Sequence, residues 1–229
     1  MEKWKSLSKL TLQGIAMAIM LMDHIGIALV PNLFLRCIGR LAFPIFAYFI
    51  AEGFAHTHSV KTYLLRMAAF ALLTEPFFDL MHTGKLWMPF YQNVLWTFCI
   101  ALLCLWGLDI LRQRHEGSLL WALDMVLVCL AGFAAGELLD TDYGGIGVLL
   151  VIGFYFSRKC KNRPLVELCA LAVFCLYLRG DEFFALLAWP LLQLYNGTPG
   201  KQSKPIQYAC YAFYPAHLLI LGLIARIPH

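Results

Sequence analysis

Charge is scarce in this chain. Of 229 residues only 14% are Asp, Glu, Lys or Arg, 61% are hydrophobic, and the mean hydropathy is +0.70. A soluble globular domain needs more polar surface than that, so composition excludes one. Closely paired cysteines are also missing. The eight cysteines, from Cys37 to Cys210, are scattered through apolar runs, with no CxxC pair and no Cys/His spacing of the zinc type. They read as small packing residues, and no metal is expected. The short alternating segments of a membrane β-barrel are absent. No linker is long enough to hold a soluble domain and no internal repeat is visible, so residues 1–229 read as a single transmembrane domain.

What the chain does have is long apolar runs. An isolated span in lipid must satisfy its own backbone hydrogen bonds, which points to helices. Runs at 10–30, 37–55, 62–80, 94–111, 119–138, 144–157, 164–178, 182–195 and 206–226 predict an all-α, polytopic membrane bundle of about nine transmembrane helices. Two of them, 144–157 and 182–195, are short for a full crossing and are expected to be tilted or partly re-entrant. The segment Met1 to Lys9 is basic. The run after it is too long for a signal-peptide core and lacks a small-residue cleavage site, so it reads as a retained first span.

Basic residues orient the bundle. With a cytoplasmic N-terminus and nine spans, the inside segments hold Lys3, Lys5, Lys9, Lys61, Arg66, Arg112, Arg114, Arg158, Lys159, Lys161, Arg163, Lys201 and Lys204. Only Arg36, Arg40, Lys85, Arg179 and Arg226 fall outside or at outer span ends. The C-terminus is then extracytoplasmic. Trp4, Trp87, Tyr91 and Trp121 lie near predicted interfaces as belt residues.

Against this apolar background a few ionisable residues stand out. Asp23 and His24 lie side by side within the first span, where charge is expensive and function is the default reading. One reading makes His24 a general base beside a carboxylate. The other makes the pair an interhelical polar lock. Arg36 and Arg40 are four apart and share a helix face. Pro44 frees the carbonyl of Arg40 and permits a kink there. An Arg–Asp pair would let both charges sit in the membrane. The arginines serve either as a structural ion pair or as an anion clamp beside His24. His217, beside Pro215 in the last span, is a second intramembrane histidine, read as a proton partner, a substrate contact or a buried hydrogen bond. Glu52 and His56 raise the thought of a metal but lack a third ligand at helical spacing. Asn93, opening the fourth span, and the Asp142-Tyr143-Gly144-Gly145 stretch are weaker signals.

The string MDHIG in the first span and RCIGRLAFPIFAYFIAEGF in the second begin a pattern that spans the chain. It continues with HTH and YLLRM, then NVLWTF, DYGGIGVLL, YNGTPG and FYPAHLLIL. Together they resemble the TraX family over nearly the whole length. That family is named for a pilus protein that acetylates the pilin N-terminus. It is similar to a wider group of transmembrane acyltransferases that take acetyl from cytoplasmic acetyl-CoA and deliver it to an acceptor on the far side.

The resemblance implies a multi-pass acetyltransferase of the bacterial inner membrane, with His24 as base and Asp23 as its supporting carboxylate. Acetyl-CoA is the co-substrate, and the acceptor is an extracytoplasmic small molecule, glycan or protein N-terminus. No nucleic-acid partner is expected. Acyl transfer also needs donors for the oxyanion. Arg36, Arg40, Asn93, Tyr214 and His217 are the candidates for oxyanion or substrate contact. The basic loop Arg158, Lys159, Lys161 and Arg163 is the candidate for the CoA phosphates, although positive-inside topology alone explains it. A proton-coupled transporter is the alternative, since intramembrane Asp, His and Arg also suit proton relays. Neither duplicated halves nor paired broken helices support it. A non-catalytic scaffold is the third reading.

Overall fold

The computed structural model describes residues 5–201 and 203–227, so Lys3 and Trp4 lie outside the described residues. Helices account for nearly all of it: α1 (Lys9–Ala28), α2 (Leu33–Gly39), α3 (Ala42–His56), α4 (Val60–Thr83), α5 (Val94–His115), α6 (Leu119–Leu138), α7 (Gly144–Ser157), α8 (Arg163–Leu178), α9 (Ala188–Gln193) and α10 (Lys204–Ile224). A 3-10 segment, Gly180–Leu187, precedes α9. Two isolated bridges, Leu7 with Tyr195 and Gln92 with Thr141, are the β-type pairings among the described residues.

Five segments are long and apolar enough to cross a membrane: Lys9–Ala28, Leu33–His56, Val94–His115, Leu119–Leu138 and Lys204–Ile224. The expected helices at 62–80, 144–157 and 164–178 form, but they are too polar or too short to count as crossings by length and composition alone. The region expected as a helix over 182–195 is 3-10 for its first part and only becomes α at Ala188. A 3-10 run of this length has poorer hydrogen bonds than an α-helix and is held by its packing.

The chain breaks where polar chemistry sits. Residues 33–56 are two helices rather than one, interrupted at Arg40 and Leu41. Pro44 cannot donate to the carbonyl four residues back, which lowers the cost of a break at that point. Helix starts are capped by side chains: Ser8, Asn32, Ser59, Asn93 and Ser203 each accept from a backbone N–H of the first turn. Gly84 ends α4 with φ of +84°, a conformation that L side chains adopt rarely.

The core forms around α3, α5 and α7. Ile45, Ala47, Leu102, Leu105, Val148 and Val151 are fully or almost fully inaccessible there. Helix α6 is the opposite case: Leu119, Leu123, Leu127 and Leu130 are each more than half exposed. Similar leucines and aromatics face outward on α4, α8 and α10, among them Leu72, Leu176 and Tyr208. So large an apolar perimeter does not belong in water and marks a lipid-facing surface. Close packing on the α6–α7 pair depends on a missing Cβ. A side chain at Gly145 would meet the Phe133 carbonyl oxygen at 2.2 Å.

Candidate active site

Three broken or bent elements bring the polar residues together. The second half of α1 carries Asp23 and His24. Helix α2 runs back against it and carries Arg36, with Arg40 as its C-cap. Helix α10 packs on α1 and α4 and carries His217 just beyond Pro215. Asp23, His24, Arg40 and His217 are all buried.

Asp23 accepts from both arginines, with Arg36 Nη1 and Arg40 Nη2 each 3.2 Å from its Oδ1. Arg40 also reaches Glu182 Oε1 at 2.6 Å and Asp181 Oδ2 at 3.3 Å, both on the 3-10 segment. Its side chain is only 9% exposed, and three carboxylates compensate it. Such charge-assisted bonds are what make a buried guanidinium tolerable. Arg36 is more open, at 31% side-chain exposure, and Asp23 is its one carboxylate contact among the described residues.

Gly39 decides whether this cluster fits. A Cβ at that position would lie 2.3 Å from Asp23 Cβ and 2.4 Å from its carboxyl carbon. Both clashing atoms are close to the α1 backbone, so neither yields easily. Gly39→Ala should therefore push α2 off α1 and lower stability by roughly 1–3 kcal/mol, the usual range for overpacking. Thermal unfolding in detergent checks this, and an unchanged midpoint would show that α2 adjusts freely.

The expected support of His24 by Asp23 is not what the structure contains. Adjacent residues on a helix point about 100° apart, and Asp23 turns to the arginines while His24 turns to α10. His24 Nδ1 lies 2.7 Å from His217 Nε2, with the ring centroids 4.9 Å apart and the ring planes within 9° of each other, the arrangement of an in-plane hydrogen bond. His217 Nδ1 lies 2.7 Å from the Phe213 carbonyl oxygen. A carbonyl only accepts, so His217 Nδ1 carries a proton. In a neutral pair His217 Nε2 is then an acceptor, and His24 Nδ1–H must donate to it. The tautomer of His24 follows: Nε2 holds a bare lone pair and has no protein partner among the described residues. His24 thus bonds His217 where the resemblance led to expecting the Asp23 carboxylate.

A cavity of about 380 Å³ opens beside this pair and is lined by Asp23, His24, Arg36, Arg40, Tyr143 and Tyr214 among others. His82, from the end of α4, also lines it, with its ring 6.4 Å from that of His24 and nearly perpendicular. A second cavity of about 260 Å³ adjoins the first and shares Met20, Phe46, Val94, Phe98 and Tyr214 with it. Its remaining walls are largely apolar, with Gln13 and Arg66 among them. Among the described residues no group of three His, Cys, Asp or Glu side chains is placed to hold a metal ion.

Other sequence candidates go elsewhere. Asn93 is 0% exposed and fully committed. Its Nδ2 donates to Glu75 Oε2 at 2.5 Å and to the Ala71 carbonyl, while its Oδ1 caps α5. It lines neither cavity and joins α4 to α5, which corrects its assignment as an oxyanion donor. The basic loop splits. Arg163 donates to Glu167 at 2.6 Å, to Glu52 at 3.1 Å and to the Tyr48 hydroxyl. Arg158 sits 3.1 Å from Glu52. Lys159 and Lys161 are exposed. The arginines of this loop thus hold α3, α7 and α8 together. His56 bonds the Glu52 backbone carbonyl at 2.8 Å.

The family description "TraX protein" matches residues 8–225. The chain belongs to the TraX family. It is 29% identical over 243 aligned positions to the probable fimbrial assembly protein FimC, serogroup H1, of Dichelobacter nodosus, covering 93% of this chain and 94% of that protein. An uncharacterized protein of Rickettsia prowazekii (strain Madrid E) is 24% identical over 186 positions, covering 77% of this chain and 65% of its own length. No solved structure matches the chain.

In this TraX family member several cavity residues gave no clear signal in sequence. His82, Tyr91, Asp181 and Glu182 reach the site or its ion pairs through loops and helix ends. A carboxylate pair in the short apolar run near 182 was the one available hint. Asp142, in the loop before α7, accepts from the Tyr91 hydroxyl at 2.9 Å. Burial pushes its carboxyl up to about 6, against the Tyr91 hydrogen bond and the Arg40 charge, which lower it. The folded chain therefore holds this proton more tightly than the unfolded one. Its contribution is full below about pH 4 and is lost as pH rises through about 6. Asp142→Asn should flatten the fall in thermal stability between those values. A wild-type profile already flat across that window would refute the shift.

Proposed function

We propose that the protein is a membrane acetyltransferase. It moves acetyl from cytoplasmic acetyl-CoA to an amine or hydroxyl of an extracytoplasmic acceptor, with His24 as general base, in the inner membrane of a bacterium. The observation that carries this reading is the free Nε2 of His24, whose tautomer is set by His217 and Phe213 and which belongs to a cavity-lining ring. A base needs a lone pair aimed at the reacting group and a partner that fixes its tautomer.

The chemistry follows from the positions. The acceptor N–H or O–H gives its proton to His24 Nε2 as the nucleophile attacks the thioester carbonyl. The C–S bond breaks, and the departing thiolate takes the proton back from His24. Arg36, half-exposed at the cavity, is the donor best placed to meet the oxyanion, since Arg40 is occupied by three carboxylates. Asp23 fixes both guanidiniums in place. The likeness to a probable fimbrial assembly protein of Dichelobacter nodosus supports a pilus-subunit N-terminus as one acceptor to try.

Purified protein in liposomes, given labelled acetyl-CoA inside and a peptide amine outside, should place label on the peptide. Solute uptake with no acetyl transfer or thioester hydrolysis would replace this reading with the transporter.

A further inference from the structure

The second cavity has no part in the chemistry above, yet it leads straight to it. Gln13, Met17, Met20 and His24 lie at i, i+4, i+7 and i+11 on one face of α1, and the first three line this cavity. Eleven residues of α-helix rise about 16 Å, so the path from Gln13 to the imidazole has that length. Arg66 of α4 also lines the cavity; it is exposed, and its Nε donates to the Thr62 carbonyl at 3.3 Å. No carboxylate pairs with Arg66 among the described residues, unlike Arg158 and Arg163. The second cavity is thus mostly apolar, carries an uncommitted cation in its lining, and adjoins the cavity that His24 lines.

We infer that this second cavity is the site for the phosphopantetheine arm of the acyl donor, with Arg66 binding its phosphate. The inference rests on the acyltransferase reading and moves the phosphate site away from the loop 158–163. The arm is a chain of about thirteen bonds from sulfur to phosphorus, close to ~16 Å when extended by the dimensions of peptide-like chains. That matches the rise from Gln13 to His24 along α1, so an arm laid along this face with its phosphate end at the level of Gln13 brings the thioester to His24. Its methyl and methylene groups suit Met17, Met20, Phe46 and Phe98. Tyr63, Tyr214 and Gln13 also line the cavity, from three different helices, and are polar side chains available to its two amides. The acyl group then projects past the shared residues into the larger, more polar cavity where the acceptor enters.

Binding to the full chain in detergent, read by thermal shift and calorimetry, tests this with three probes: CoA, 4′-phosphopantetheine and pantetheine. The phosphorylated arm alone should bind, and pantetheine should bind roughly tenfold or more weakly, as loss of one charge-assisted contact implies. Arg66→Ala should weaken CoA and 4′-phosphopantetheine by a similar factor, leave pantetheine unchanged, and be partly restored by Arg66→Lys. Met17→Trp should block all three by filling the cavity. Arg66 is exposed and bonds only within its own helix, so its variants decide the matter even if Met17→Trp does not fold. If CoA binding is indifferent to Arg66 but lost in Arg158→Ala or Arg163→Ala, the site is at the loop and the inference fails while the acyltransferase reading survives. If the wild-type protein binds no CoA at all, both fail. Binding of a decyl detergent that displaces nothing and ignores Arg66 would also overturn the inference.

Discussion

Replacing His24 by Ala or Gln should abolish acetyl transfer while leaving the protein folded. A positioned base contributes about 10²–10⁴ in rate, so the loss should fall in that range. Deleting the ring leaves His217 Nδ1 on the Phe213 carbonyl and removes the partner of one neutral acceptor, its Nε2, a cost of about 1–3 kcal/mol. The midpoint of thermal unfolding should therefore fall by only a few degrees, far less than the loss of activity would need if it came from unfolding. His217→Ala tests the tautomer argument separately. Without its acceptor, His24 Nδ1–H no longer has a fixed partner, the two tautomers mix, and the rate should fall by a smaller factor with an altered pH profile. His217→Gln, which offers an acceptor oxygen, should recover part of the loss. Full activity in a folded His24→Ala protein would end the assignment of that residue.

A second large effect is expected at Arg40, this time in stability. Its guanidinium lies among Asp23, Asp181 and Glu182, at 3.2, 3.3 and 2.6 Å. Removing it strands Glu182 where water is scarce and leaves Asp23 with Arg36 alone, while Asp181, at 35% side-chain exposure, is met by water. Breaking a buried pair by deleting one partner typically costs about 3–5 kcal/mol. For a chain of this size that is a fall of roughly 10 °C in midpoint. Arg36→Ala should cost far less, about 0–1 kcal/mol, because its side chain is 31% exposed and water takes over part of its role. Combining Arg40→Ala with Glu182→Gln should recover some stability, because one of the stranded charges is gone. An Arg40→Ala variant within about 1 kcal/mol of wild type would mean that the cluster is well hydrated, contrary to the packing.

These two residues show how differently the sequence speaks about the elements of one site. Asp23, His24 and His217 were visible because an ionisable side chain within an apolar run is rare, and rarity in lipid is a physical signal. The Arg36–Arg40 pair and the helix break near Pro44 were visible for similar reasons. Partnership was not. Asp23 and His24 are neighbours in the chain, yet they bind different helices, because a helix turns successive side chains away from each other. Asn93 looked like an available donor and is in fact latched to Glu75. The loop arginines looked like a phosphate site, but Glu52, from a helix far away in sequence, and Glu167, one turn along α8, neutralise them.

Composition and periodicity alone sufficed for an all-helical protein with an apolar exterior, because burying backbone polar groups and placing charge in lipid are costs that each residue bears locally. The pairing of His24 with His217 across 193 positions, the commitment of Arg40 to three carboxylates and the apolar cavity adjoining the His24 site arise from how α1, α2, α4 and α10 pack. Those are properties of distances between helices. A one-dimensional pattern records which side chains are available on each helix, but not which of them meet.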